Sequence, residues 1–260
     1  MSSKFLFSLS FAFTSILSVN PAFAIVGGDS VSAQDPIAAS TVAIYFKTGD
    51  TNAAGQAMGA LCTGSIQDNS HIITAAHCVT DMKGGVVIFS RTILTKDPAV
   101  IRQITGSNFN LDYPLVPALD HNDIGIVTFA GGLPAGYHPV PVLDPAVSGQ
   151  YLHDGQQITV AGYGTTGNPP TGYTGPDTAG TLRKLVTQID SSSGLVKGVV
   201  TGTVGKTTCH GDSGGPAFIT VHGQNYLWGI LSRGDCENMA IFTRLTSNFY
   251  GVPERPIFNF

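Results

Sequence analysis

Short runs of β-branched and aromatic residues, each closed off by glycine or proline, recur along the chain: Thr41–Phe46, His71–Thr74, Val86–Phe89, Ile124–Phe129, Gln157–Ala161, Leu182–Ile189, Ala217–Val221, Tyr226–Leu231 and Ala240–Leu245. Such residues suit a pleated, half-buried surface, and the breakers between them forbid long helices. The 32 glycines among 260 residues fit many turns. The pattern predicts an all-β protein.

The segment Gly131-Gly132-Leu133-Pro134-Ala135-Gly136 marks a boundary between two parts of similar length, 25–134 and 135–246. Residues 247–260 contain Gly251, Pro253 and Pro256 and read as an irregular tail whose Phe249, Tyr250, Phe258 and Phe260 pack on the protein. At the other end, residues 1–24 carry one charged side chain, Lys4, then an apolar run from Phe5 to Val19, then Asn20-Pro21-Ala22-Phe23-Ala24. Small residues at Ala22 and Ala24 fit a signal peptidase site, so cleavage is expected after Ala24. The run is shorter than the roughly 20 residues a membrane span needs, and Pro21 closes it. The expected destination is the periplasm or the medium, with no membrane association after cleavage.

Charged residues are 12% of the chain, against about 25% in ordinary soluble proteins. Thirteen basic and 17 acidic residues give a net charge of -4 with no basic run, which removes the footprint of a nucleic-acid binder. Four cysteines allow three pairings, and the sequence alone does not choose among them. No Cys-x-x-Cys or His-x-x-x-His spacing supports a zinc site, and no acidic cluster after His77 suggests a calcium loop. Neither a metal nor a cofactor is expected.

Two motifs carry rival readings. Gly162-Tyr163-Gly164-Thr165-Thr166-Gly167 matches a dinucleotide-binding fingerprint, but Asn168-Pro169-Pro170 forbids the helix it needs, so a turn is expected. That turn leads into a flexible loop, 164–180, where self-cleavage is plausible. Gly211-Asp212-Ser213-Gly214-Gly215-Pro216 places a serine hydroxyl among residues that cannot crowd an approaching substrate. It matches the Gly-x-Ser-x-Gly elbow of α/β-hydrolases, yet Pro216 blocks the following helix, and His222 precedes Asp235 where the elbow requires the reverse order.

Upstream of that serine stand Thr74-Ala75-Ala76-His77-Cys78 and His121-Asn122-Asp123-Ile124-Gly125-Ile126. These motifs, in the order His, Asp, Ser and with Ile25-Val26-Gly27-Gly28, closely resemble the trypsin/chymotrypsin family of serine endopeptidases from Ile25 to about Leu245. The resemblance implies two packed six-stranded antiparallel β-barrels with the active site in the cleft between them. It implies a triad of Ser213 as nucleophile, His77 as general base and acid, and Asp123 orienting the imidazole, with the N–H groups of Gly211 and Ser213 as the oxyanion hole. It pairs Cys62 with Cys78 and Cys209 with Cys236. It also pairs the amine of Ile25, once freed, with Asp212. Most relatives free that amine by cutting after Lys or Arg; here Ala24 precedes Ile25, so export itself is expected to activate the protein.

The resemblance puts Thr207 at the floor of the primary pocket, His210 at its rim, and Ser232-Arg233-Gly234 with Ala240 in its walls. Trypsin-like enzymes carry an aspartate where this chain has Thr207, and a buried cation with no counter-charge is costly, so a preference for Arg or Lys loses its basis. Arg233 stands for a common tryptophan and Ala240 for a common glycine. Cleavage after small or medium uncharged residues is the first expectation and after acidic ones the second, with Arg233 read as a solvated side chain ahead of a cation for acidic groups. The implied partners of a monomeric enzyme are protein or peptide substrates and proteinaceous inhibitors. The different-class alternative is an exported binding module that kept the fold and lost catalysis.

Overall fold

The computed structural model describes residues 25–113, 122–167, 179–192, 198–201, 206–245 and 258–259. The expected signal peptide, most of the loop 164–180 and most of the tail lie outside the described residues. All nine runs read from the sequence are strands, with bounds within a few residues of expectation. The first sheet holds β2 (Thr41–Thr51), β3 (Ala57–Ile66), β4 (His71–Thr74), β5 (Gly85–Ile88), β6 (Ile101–Phe109) and β7 (Gly125–Phe129). They pair antiparallel in the order β6-β5-β2-β3-β4-β7, and a β6–β7 ladder closes them into a barrel.

The second sheet holds β8 (Gln157–Gly162), β9 (Arg183–Gln188), β10 (Gly198–Thr201), β11 (Pro216–Val221), β12 (Gln224–Gly234) and β13 (Ala240–Arg244), antiparallel in the order β9-β8-β11-β12-β13-β10. Among the described residues no ladder joins β9 to β10. The two six-stranded sheets are the expected architecture, one of them closed. Helix is confined among the described residues to α1 (Ala76–Val79), α2 (Pro145–Tyr151) and two 3-10 turns, and no helix there is long and apolar enough to cross a membrane.

Within the two six-stranded sheets, three strands escaped the sequence: β3, β6 and β10. The β3 run Ala-Met-Gly-Ala-Leu-Cys-Thr-Gly-Ser-Ile is poor in strand formers. It is held as a strand by pairing along β2, from Thr41 opposite Ser65 to Lys47 opposite Gly59. Tertiary pairing outweighs local preference here.

The ends of the chain cross between the sheets. Asp29–Ser30 (β1) pairs with β9 of the second sheet, while Phe258–Asn259 (β14) pairs with Ser107 and Gly106 of β6 in the first. The described end of the tail is therefore a strand added to the first barrel, where the sequence suggested irregular chain. One apolar core fills the first barrel with Ile44, Ile66, Ile72, Phe89 and Val127, and it runs on into the second half through Tyr163, Phe218 and Leu227. The fully buried Tyr163 donates its hydroxyl to the Ser90 carbonyl at 2.7 Å. A second core gathers Ile25, Val160, Trp228 and Phe242.

Deleting residues 258–260 removes the β14 pairing from β6. Each backbone hydrogen bond is worth about 1 kcal/mol, and a protein of this size loses about 2–4 °C in Tm per kcal/mol. The truncated protein is expected to melt a few degrees lower by calorimetry; an unchanged midpoint would show that the crossing strand holds nothing.

Candidate active site

The chain turns from β4 into the single helical turn α1, which carries His77 and Cys78. Cys78 is bridged to Cys62 on β3, with the Cα atoms 6.4 Å apart, which pins α1 to the barrel wall. Asp123 lies just before β7 and is 2% exposed. Its Oδ1 accepts the His77 main-chain N–H at 3.0 Å, and its Oδ2 lies 2.8 Å from His77 Nδ1. Ser232 on β12 adds a third donor, its hydroxyl 2.7 Å from Oδ2. Burial pushes the Asp123 carboxyl up, but the bonds from His77 and Ser232 outweigh it and hold the group below the ordinary carboxylate value. The His77 ring keeps about a third of its surface open, so one edge faces solvent while the other is locked to the acid.

Ser213 reaches the same region from the second half. Its carbonyl accepts the Thr63 N–H at 2.8 Å and lies 3.7 Å from Cys78 Sγ. Two glycines around it are in the left-handed region, Gly211 at φ +96 and Gly214 at φ +78. At Gly214 a Cβ would lie 2.0 Å from Thr74 Oγ1, so no other residue fits. The Gly211 carbonyl is held by the Thr63 hydroxyl at 2.9 Å.

A cavity of about 180 Å³ opens beside Ser213, lined by Thr208, His210, Leu231, Ser232, Arg233 and Gly234 together with Cys209 and Cys236. These two cysteines form the second disulfide, Cα–Cα 4.6 Å. Both bridges pair as the family resemblance implied. Of the six residues expected in the pocket, His210, Ser232, Arg233 and Gly234 line the cavity. Thr207 and Ala240 do not: they are 2% and 1% exposed and stand behind it, Thr207 bridged to Val26 and Ala240 paired with Gly234. Arg233 is half-buried, and its charge is felt by the Tyr113 hydroxyl, which burial and Asp123 push up and Arg233 pulls back. The sets of metal-type donors among the described residues, Cys62–His77–Cys78 and Cys209–His210–Cys236, each have their thiols locked in a disulfide.

Asp212 points away from the cavity into the protein and is fully buried. Oδ1 accepts the Gly164 N–H at 2.7 Å and Oδ2 the Cys209 N–H at 2.9 Å. A Cβ on Gly162 or Gly164 would fall 2.2 or 2.5 Å from this side chain, so the glycines of the Gly162–Gly167 motif make room for a carboxylate and not for a dinucleotide. Burial raises the Asp212 carboxyl to about 7, against the two backbone donors, and among the described residues no cationic side chain is ion-paired with it. Ile25 is fully buried in the second core, and the adjacent Val26 accepts the Thr207 N–H at 3.2 Å, five residues ahead of Asp212.

The family model for Trypsin matches residues 25–250. The chain belongs to the trypsin family. Among the family's curated members it is 30% identical to brachyurin of Leptuca pugilator over 204 residues, 71% of this chain and 83% of that protein. It is 29% identical to Trypsin-1 of Astacus astacus over 196 residues, 66% of this chain and 76% of the relative. It is 28% identical to human Kallikrein-10 over 207 residues, covering 71% and 70%.

Against the family's motifs, two residues of the site gave no signal in the sequence, and a third, Ser232, showed only part of its role. Thr63 holds both Gly211 and Ser213, Thr208 lines the cavity one position beyond Thr207, and Ser232, read only as a pocket wall, also braces Asp123. Each acts across a long stretch of chain, and no local pattern marks it.

Asp212 generates a pH prediction for a chain that retains a residue before Ile25. Its folded value of about 7 exceeds the ordinary 3.8, so between these values the folded chain holds a proton that the unfolded chain releases. The stabilisation is full below the unfolded value and is lost as pH rises through the folded one. Urea midpoints measured from pH 4 to 8 should fall more steeply for this chain than for its Asp212→Asn variant; parallel curves would contradict the assignment.

Proposed function

We propose that this trypsin-family protein is an exported serine endopeptidase, with Ser213, His77 and Asp123 as its catalytic residues. The observation that supports it best is the two-point hydrogen bond from His77 to the buried Asp123, set beside a cavity that Ser213 borders. A serine hydroxyl is a weak nucleophile at neutral pH unless a base takes its proton during attack. With Nδ1–H given to Asp123, the Nε2 of His77 is the base, and the carboxylate stabilises the imidazolium as it forms. His77 then returns the proton to the leaving amine, and water repeats the sequence on the acyl-enzyme. The N–H groups of Gly211 and Ser213 meet the developing oxyanion, a contribution of about 2.7–4 kcal/mol per donor in proteases of this chemistry.

Activation follows from the same reading. In the uncut chain the Ile25 nitrogen is an uncharged peptide nitrogen, and Asp212 has two backbone donors and, among the described residues, no cationic side chain ion-paired with it. Cleavage between Ala24 and Ile25 creates an ammonium whose pairing with Asp212 sets the Gly211–Ser213 segment. N-terminal sequencing of active secreted protein is expected to read Ile-Val-Gly-Gly; full activity with a residue still attached before Ile25 would overturn this route.

A fluorophosphonate probe tests the catalytic reading. It is expected to label the secreted protein, to fail on Ser213→Ala, and to react far more slowly with His77→Ala. Asp123→Asn should lower kcat by about 10⁴-fold, the scale set by proteases with this triad. Absence of label on the correctly processed wild-type protein would favour a binding module that keeps only the fold.

A further inference from the structure

The wall of the cavity beside Ser213 carries an unanswered hydroxyl. Thr208 lines that cavity and is 3% exposed, and among the described residues its Oγ1, like that of Thr207 beside it, has no hydrogen-bond partner. The hydroxyl sits against Gly234, where even a Cβ would lie 3.3 Å from it, and a glycine offers no side chain to pair with it. Buried hydroxyls are normally satisfied, and one left orphaned is destabilising until a partner arrives. A single χ1 step exchanges the hydroxyl and methyl of a threonine, so Thr208 can turn its oxygen to a group that enters the cavity.

The rest of the lining narrows the class of that group. Among the described residues no Asp or Glu borders the cavity, so a substrate cation would be buried without a counter-charge. Among the described residues the fixed charge on the lining is Arg233, which acts on the Tyr113 hydroxyl, a group that Asp123 also acts on. A carboxylate on the Thr208 wall would exchange its hydration for one neutral hydroxyl, a poor replacement. The volume of about 180 Å³ resembles the cavity of about 150 Å³ that accepts benzene, so a side chain of medium size enters.

We propose that this pocket selects an uncharged side chain with a hydrogen-bonding end, asparagine or glutamine above all, as the residue preceding the cleaved bond, and that Thr208 is the specificity-determining residue. This rests on the endopeptidase reading of the same site. A side-chain amide supplies both a donor and an acceptor to a hydroxyl that can use either. An apolar side chain of equal size leaves the hydroxyl orphaned, and sites built around such a bond reject the analogue that lacks it.

The test is a set of peptides identical except at that residue: Gln against Met, Asn against Leu, with Arg and Glu added. For the wild-type protein kcat/KM is expected to favour each amide over its apolar counterpart by roughly tenfold or more, with Arg and Glu below both. Thr208→Val should collapse the amide-to-apolar ratio toward one, and Thr208→Ser should preserve it. Should the valine variant not fold, the wild-type ratios and the serine variant decide. A protein that takes the fluorophosphonate label and cleaves the Leu and Met peptides as well as the amides overturns this inference and leaves the catalytic reading standing. A protein that neither labels nor cleaves overturns both.

Discussion

Thr63 uses every polar group it has on the seam between the two sheets. Its N–H goes to the Ser213 carbonyl, its hydroxyl donates to the Gly211 carbonyl and accepts the Tyr163 N–H at 3.1 Å, and its own carbonyl accepts the Thr74 hydroxyl at 2.8 Å. Cys62 beside it is bridged to Cys78, next to His77. Two adjacent residues of β3 thus anchor both the helical turn with the histidine and the loop with the serine. Groups that must meet within hydrogen-bond distance for chemistry need this kind of fixed frame, because a displacement of about 1 Å is enough to cost on the order of 10²-fold in rate.

The two buried aspartates show how surroundings divide one side chain into two roles. Both are desolvated, which disfavours the charged form. Asp123 receives His77 at two points and the Ser232 hydroxyl, and its carboxyl is held below the ordinary value. Asp212 receives two backbone N–H groups and rises to about 7. Backbone dipoles alone do not offset complete burial here. Among the described residues no cationic side chain is ion-paired with Asp212, and Ile25, buried in the second core, is followed by Val26, which is bridged to Thr207 five residues ahead of Asp212.

What the sequence made legible was local. A run such as Gln157–Ala161 shows its own β-branched pattern, and His77, Asp123 and Ser213 sit in motifs of adjacent residues. What it hid was carried by distance: the Thr63–Gly211 and Ser232–Asp123 bonds join residues 148 and 109 positions apart, and neither serine nor threonine advertises such a partner. β3 was hidden because its small residues have little strand preference of their own, and β2 supplies the pairing. The displacement of the pocket from Thr207 to Thr208 has a simple geometric origin. Counting back from Ser213 fixes a position along the chain, but successive side chains of extended backbone face opposite ways. Thr207 is bridged to Val26, and its neighbour Thr208 borders the cavity.

That arrangement also decides where specificity can reside. The two walls of the cavity, 208–213 and 231–236, are tied by the Cys209–Cys236 bridge and by main-chain bonds from Gly214 to Leu231 and from Leu231 back to Gly215, each 2.9 Å. The far end of the second wall is capped by Asp235, whose Oδ1 accepts the N–H groups of Glu237, Asn238 and Met239, each at 2.9 Å. These ties hold the two walls of the cavity to one another at several points. Its selectivity falls to the few side chains that border it, and among them Thr208 is both buried and unpaired. On the proposed reading, the frame that carries both His77 and Ser213 leaves one small hydroxyl to tell one substrate from another.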